Sequence, residues 1–183
     1  MSFSLETRRH SAAHVMAAAI KRLYPEAKFG VGPVVETGFY YDIDIGRPVT
    51  PEDLKKITVE MKKIVAEDPT FAREEIGIDP AIALFQSLGQ TYKVELLNDL
   101  KTRGTTKISA EETTDVDPTN VTTVSIYRTG DFLDLCRGPH VDSAAHIGAW
   151  KLWKIAGAYW RGKETNPQMQ RIYGLCFASP DEL

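Results

Sequence analysis

The order of the two periodicities along this chain limits its fold more than any other feature. Apolar residues recur at helical spacing in the segments up to Gly89, and β-rich runs dominate from Val121 onward. Helices first and strands last, with a few strands near the start, indicate an α+β fold rather than an alternating α/β one. Leu5 to Tyr24 reads as a helix, with Ser4 as its cap and Pro25 as its stop. Thr50, Pro51, Glu52 and Asp53 look like a second helix start, followed by Leu54, Ile57, Met61, Ile64 and Val65 at helical spacing and an end near Asp68. "DPAIALFQSLG" repeats the pattern, with Asp79 as cap, Pro80 leading and Gly89 ending it.

Between these lie other patterns. "KFGVGPVVETGFYYDIDI" suggests short strands and turns, with a hairpin among them. "TYKVELL" reads as a strand or extended segment, and residues 99–120 as a polar, exposed loop. "VTTVSIYR", "DFLDLC", "AWKLWKIAGAYWRG" and "QRIYGLCFA" supply the late strands. At 183 residues the expectation is one domain, with subdomains of about 1–120 and 121–183 as an option. No apolar run is long enough to span a membrane, and two cysteines make no disulfide framework, so a reducing, cytoplasmic setting is expected. The net charge of −3 does not advertise nucleic-acid binding. Locally, Arg137 to Arg171 carries six basic residues against two acids, interleaved with Trp150, Trp153, Tyr159 and Trp160. That mixture suits phosphates and bases, and equally a strand pair with a solvated cationic face.

The chemistry-bearing residues are the histidines. His10 and His14 are four apart on the first helix, which brings two imidazoles within reach of one atom. On a helical wheel they lie opposite the arc of Ala12, Val15, Met16, Ala19, Ile20 and Leu23, with Ala17 and Ala18 beside them. They are therefore either solvated or lining a cleft. "DLCRGPH" adds Asp134, Cys136 and His140: the first two share one strand face, and Gly138-Pro139 can turn His140 back toward the cysteine. H-x-x-x-H and C-x-x-x-H together supply four side chains with tetrahedral zinc chemistry. His146 stands outside the set and reads as a surface histidine.

"RHSAAHVMAAAIKRLYPEAKFGVGPVVETGFYYDID", "YKVELL", "LDLCRGPHV" and "AGAYWRGKETNPQMQRIYG" resemble, in order, the editing domain of bacterial-type threonyl-tRNA synthetases. The related alanyl editing domain shares the histidine and cysteine arrangement, but the surrounding residues look threonyl. The resemblance implies a mostly antiparallel sheet wrapped around a central N-terminal helix, with further amphipathic helices packed on it. It implies hydrolysis of the ester in mischarged seryl-tRNA(Thr), the second sieve for a pair differing by one methyl, which a single pocket separates by only about 1–3 kcal/mol. His10, His14, Cys136 and His140 would form the central tetrad, with Lys93 and Asp134 as further catalytic positions and His10 as the first choice for activating water. Tyr40 would border the amino-acid pocket, and Arg137, Arg161, Lys154 or Lys163 would reach the acceptor end. No cofactor is expected for editing, although the tetrad could take zinc; ATP and zinc belong to the family's aminoacylation core. That core and the anticodon-binding domain are not recognisable here, nor is the family's small leading domain, so the expectation is a fragment of a larger ligase. The partner would be the tRNA(Thr) acceptor end, with no membrane; the whole enzyme would be a homodimer through its core and the fragment a monomer.

Overall fold

A computed structural model describes residues 2–104 and 122–183. The long helix α1, Leu5–Leu23, begins where Ser4 accepts a hydrogen bond from the Thr7 amide. Strands β1 (Lys28–Phe29), β2 (Val34–Val35) and β3 (Gly38–Asp44) follow, with β2 and β3 forming the expected hairpin. Helix α2, Pro51–Glu67, opens with a complete capping box between Thr50 and Asp53. Then come β4 (Phe71–Gly77), α3 (Ile78–Ser87), α4 (Thr91–Arg103), β5 (Thr123–Thr129), β6 (Phe132–Leu135), β7 (Ala149–Tyr159) and β8 (Gln168–Phe177). Two antiparallel sheets result: β1-β3-β8-β7, with β2 also on β3, and β4-β5-β6. The fold is α+β. No helix among the described residues is long and apolar enough to cross a membrane.

Two elements differ from the sequence expectation. α3 starts at Ile78 behind Gly77, so Asp79 lies in its first turn instead of capping it, and pairs with Lys101 of α4. "TYKVELL" is helical, the first half of α4. Its alternation of Tyr92, Val94 and Leu96 is real, but Leu100 continues the i, i+4 row of Tyr92 and Leu96 that a seven-residue window truncates, and tertiary packing selects the helix. Most of the anticipated polar loop over 99–120 lies outside the described residues; its first residues belong to α4.

Helix α1 sits at the centre. Every residue from Ser11 to Ile20 is buried, which is possible only because the helix is covered on all sides. The large sheet packs against it through β3 and β8, α2 covers a second side, and β5 and β6 approach a third. Its alanines let these neighbours come close, and the core cluster runs from Val15, Met16 and Ile20 to Phe39, Tyr41, Ile57 and Met61. Of the two readings left open for the histidine side of α1, the solvated one is thereby excluded: that side faces the β4-β5-β6 half of the molecule. A second cluster, Ile78, Phe85, Leu97, Leu100, Ile126 and Leu135, joins α3 and α4 to that smaller sheet.

Candidate active site

The histidines of α1 meet the segment after β6. The Sγ of Cys136 lies 3.3 Å from His10 Nε2 and 3.4 Å from His140 Nε2, and accepts the Gly138 amide at 3.2 Å. The ring of His14 stands 4.2 Å from that of His140 and 5.2 Å, edge-on, from that of His10. One donor atom from each of the four residues falls within 4.8 Å of every other. Gly138 makes the turn at φ +75°, and a Cβ there would lie 2.3 Å from the Tyr127 hydroxyl, so only glycine fits. Cys136 is fully buried and His14 almost so, whereas His10 and His140 are half-buried, so the tetrad opens on the side of those two imidazoles.

Behind the tetrad lies a buried polar network. Asp134 on β6 and Lys93 on α4, each about 1% exposed, form an ion pair of 3.0 Å. The other carboxylate oxygen of Asp134 accepts the Tyr41 hydroxyl and stands 3.5 Å from His14 Nε2. Lys93 also reaches the Tyr41 hydroxyl at 3.1 Å, and the Leu135 amide donates to Asp134. Burying both charges is tolerable because each is paired and hydrogen-bonded. Burial, then His10 and Lys93, hold the His14 imidazole well below its ordinary pKa; burial, then His14 and His10, do the same for His140. Both are neutral at physiological pH. The Nδ1 of His14 is a buried nitrogen with no hydrogen-bond partner among the described residues.

Six of the residues expected at the site, His10, His14, Cys136, His140, Lys93 and Asp134, come together. Three do not. Tyr40 points out of the sheet on the face opposite Tyr41, where Arg171 lies 4.0 Å above its ring; Tyr41 is the tyrosine at the site. The β3 alternation Phe39, Tyr41, Ile43 inward is the signal that would have chosen it. Arg161 has its guanidinium against Asp99 and Glu95 of α4, so its charge is already answered. Arg137 is exposed and, with Arg73, Ser125 and Gly138, lines an open polar groove of about 410 Å³ that ends beside Cys136. Of the cationic stretch, Lys151 and Lys154 lie on β7 and Arg171 on β8, with Lys154 over the rings of Trp153 and Tyr173. His146 is at the surface beside Phe3 and Ser143. Ser11 carries no signal in the sequence pattern, yet its hydroxyl is 3.0 Å from His140 Nδ1.

A partly enclosed cluster of imidazoles and a thiol, backed by a lysine–aspartate pair, defines a class of site built to hold a polar group and move a proton. The comparisons give the chain its relatives. Residues 124–173 match the profile of the second additional domain of threonyl and alanyl tRNA synthetases. Threonine--tRNA ligases match nearly all of the chain. That of Nitratidesulfovibrio vulgaris (strain DP4) is 48% identical over 179 residues, 98% of this chain and 25% of that protein. That of Pelobacter propionicus is 49% identical over 175 residues (96% and 24%), and that of Dehalococcoides mccartyi (strain CBDB1) 50% over 173 residues (94% and 26%). The chain is similar to threonine--tRNA ligases over nearly its whole length, and spans about a quarter of the length of these relatives.

Proposed function

We propose that the tetrad cleft hydrolyses the ester of seryl-tRNA(Thr), clearing a misacylated product of a threonine--tRNA ligase that carries this region. The observation that supports it is the convergence of His10, His14, Cys136 and His140 on one half-open point in a chain similar to threonine--tRNA ligases. His10 is on the open side, and its Nδ1 faces the Pro139 carbonyl at 3.3 Å. A carbonyl only accepts, so Nδ1 carries the hydrogen and Nε2 presents a lone pair. That lone pair takes a proton from water as the water oxygen attacks the ester carbonyl. The proton then passes to the ribose oxygen as the carbon–oxygen bond breaks, leaving serine and free tRNA. Cys136, with no exposed surface, serves as a wall and hydrogen-bond partner of the imidazoles rather than as the nucleophile.

In this reading Asp134 orients His14, since its two oxygens are already occupied by Lys93, Tyr41 and the Leu135 amide. Lys93 neutralises Asp134 and lends positive potential to the cleft. Phe71, stacked on His140 at 4.9 Å, and Tyr127, edge-on to it at 4.5 Å, narrow the space for a side chain larger than serine. Arg137 at the mouth of the groove takes a backbone phosphate of the acceptor end. The whole ligase would join threonine to tRNA(Thr) with ATP through parts outside this chain, acting in the cytoplasm as a dimer.

Three nitrogens and one sulfur also suit zinc, and His10, His14, Cys136 and His140 would hold it; zinc bound there would supply Lewis-acid polarisation. Proton transfer through His10 needs no metal. The test is deacylation of seryl-tRNA(Thr) by the chain and by His10→Ala, with and without chelator. Chelator-resistant hydrolysis that His10→Ala lowers at least a hundredfold supports it. Chelator-sensitive hydrolysis with stoichiometric zinc favours the metal reading, and tight tRNA binding without hydrolysis would leave a binding module.

A further inference from the structure

Ser11 is fully buried, and its hydroxyl faces three partners. It stands 2.8 Å from the Thr7 carbonyl, 3.0 Å from the Val141 amide nitrogen and 3.0 Å from His140 Nδ1. A hydroxyl has one hydrogen and two lone pairs. The Thr7 carbonyl can only accept, so it takes the hydrogen. The Val141 N–H can only donate, so it fills one lone pair. The remaining lone pair meets His140 Nδ1, which must therefore be the donor. We infer that Ser11 is a positioning residue of the site: it fixes His140 in the tautomer with hydrogen on Nδ1, and so leaves the Nε2 lone pair facing Cys136 Sγ and the cleft.

The consequence reaches the whole tetrad. His10 is held in the same state by the Pro139 carbonyl, so two imidazole lone pairs point at one sulfur, 3.3 and 3.4 Å away. The Cys136 thiol has a single hydrogen to give. One of the two nitrogens is left with an unshared lone pair, and the buried Nδ1 of His14 has no partner among the described residues. The cluster is short of protons by construction. With the opposite tautomer, His140 would aim an N–H at the sulfur and fill that deficit. Burial reinforces the arrangement by keeping His140 neutral. Ser11 makes this possible from within α1, one residue after His10, because back-bonding to Thr7 one turn earlier orients its hydroxyl.

This inference rests on the esterase reading only for its kinetic arm. The experiment uses the chain labelled with ¹⁵N in its histidines, and reads the His140 ring nitrogens from their shifts and long-range proton couplings at pH 7.5. The expected spectrum has Nδ1 protonated and Nε2 bare. In Ser11→Ala the signal moves toward the Nε2–H form, and in Ser11→Cys it moves less. The matching seryl-tRNA(Thr) deacylation shows kcat reduced at least tenfold in Ser11→Ala with KM within about twofold, and partial recovery in Ser11→Cys. A wild-type His140 protonated at Nε2 overturns the proposal without any variant, and so does a Ser11→Ala protein whose His140 spectrum and kcat match the wild type. If the wild type hydrolyses no seryl ester, the esterase reading fails, while the spectrum still decides the tautomer.

Discussion

Acidification tests the buried histidines directly. His14 and His140 are held neutral in the fold, whereas an unfolded histidine titrates near 6.5. Their folded pKa values are depressed, so below about pH 6.5 the unfolded chain binds two protons that the folded chain refuses, and stability falls as pH falls. Each such proton costs about 1.4 kcal/mol per pH unit, so moving from pH 7.5 to 5.5 removes roughly 1.4 kcal/mol per histidine, or about 2.7 kcal/mol for the pair. That is a large share of an ordinary domain's 5–15 kcal/mol. Asp42, raised by burial against the pull of Arg171, works in the opposite sense, so the difference between proteins is the cleaner reading. Urea unfolding of the wild type and of His14→Gln at pH 7.5 and 5.5 gives it. The variant is expected to lose about 1.4 kcal/mol less than the wild type across that interval. Equal losses in both proteins would refute the argument that His14 is held neutral.

Other perturbations follow from the same packing. Lys93→Met strands the Asp134 carboxylate in the interior and is expected to cost about 3–5 kcal/mol in urea unfolding; a loss below about 1 kcal/mol would mean the ion pair is not buried as described. Gly138→Ala places a methyl against the Tyr127 hydroxyl at a positive φ and should cost about 1–3 kcal/mol, with partial relief when combined with Tyr127→Phe; full tolerance of the single change would contradict the turn geometry. Thr50→Ala removes half of the α2 capping box and should lower stability by about 1 kcal/mol, read as a shift in the thermal midpoint.

Much of this molecule is legible in its sequence where local chemistry decides. Ser4, Thr50 and Pro51 mark helix starts because orphan amides need a nearby oxygen and proline needs none. The pairing of His10 and His14 with Cys136 and His140 is readable from donor type and spacing, and the structure brings the four together. What sequence conceals is which side of an element is covered. The histidine side of α1 looks solvated on a wheel, yet β5 and β6 cover it, and only the smallness of its alanines hints at that approach. α4 looks like a strand until Leu97 and Leu100 are counted with Tyr92, Lys93 and Leu96. Arg161 looks available to RNA, and only the fold shows Asp99 and Glu95 beside it. Ser11 and Tyr41 matter through single hydroxyl groups whose partners, His140 and Asp134, lie 129 and 93 residues away, a relation no local pattern encodes.

The central claim is that this cleft clears serine from tRNA(Thr). The most direct measurement is single-turnover deacylation of seryl-tRNA(Thr) and threonyl-tRNA(Thr) by the purified chain in the presence of chelator. The account predicts rapid loss of the seryl ester and little loss of the threonyl ester beyond the uncatalysed rate. Equal rates for the two esters, or none above background for either, would contradict it.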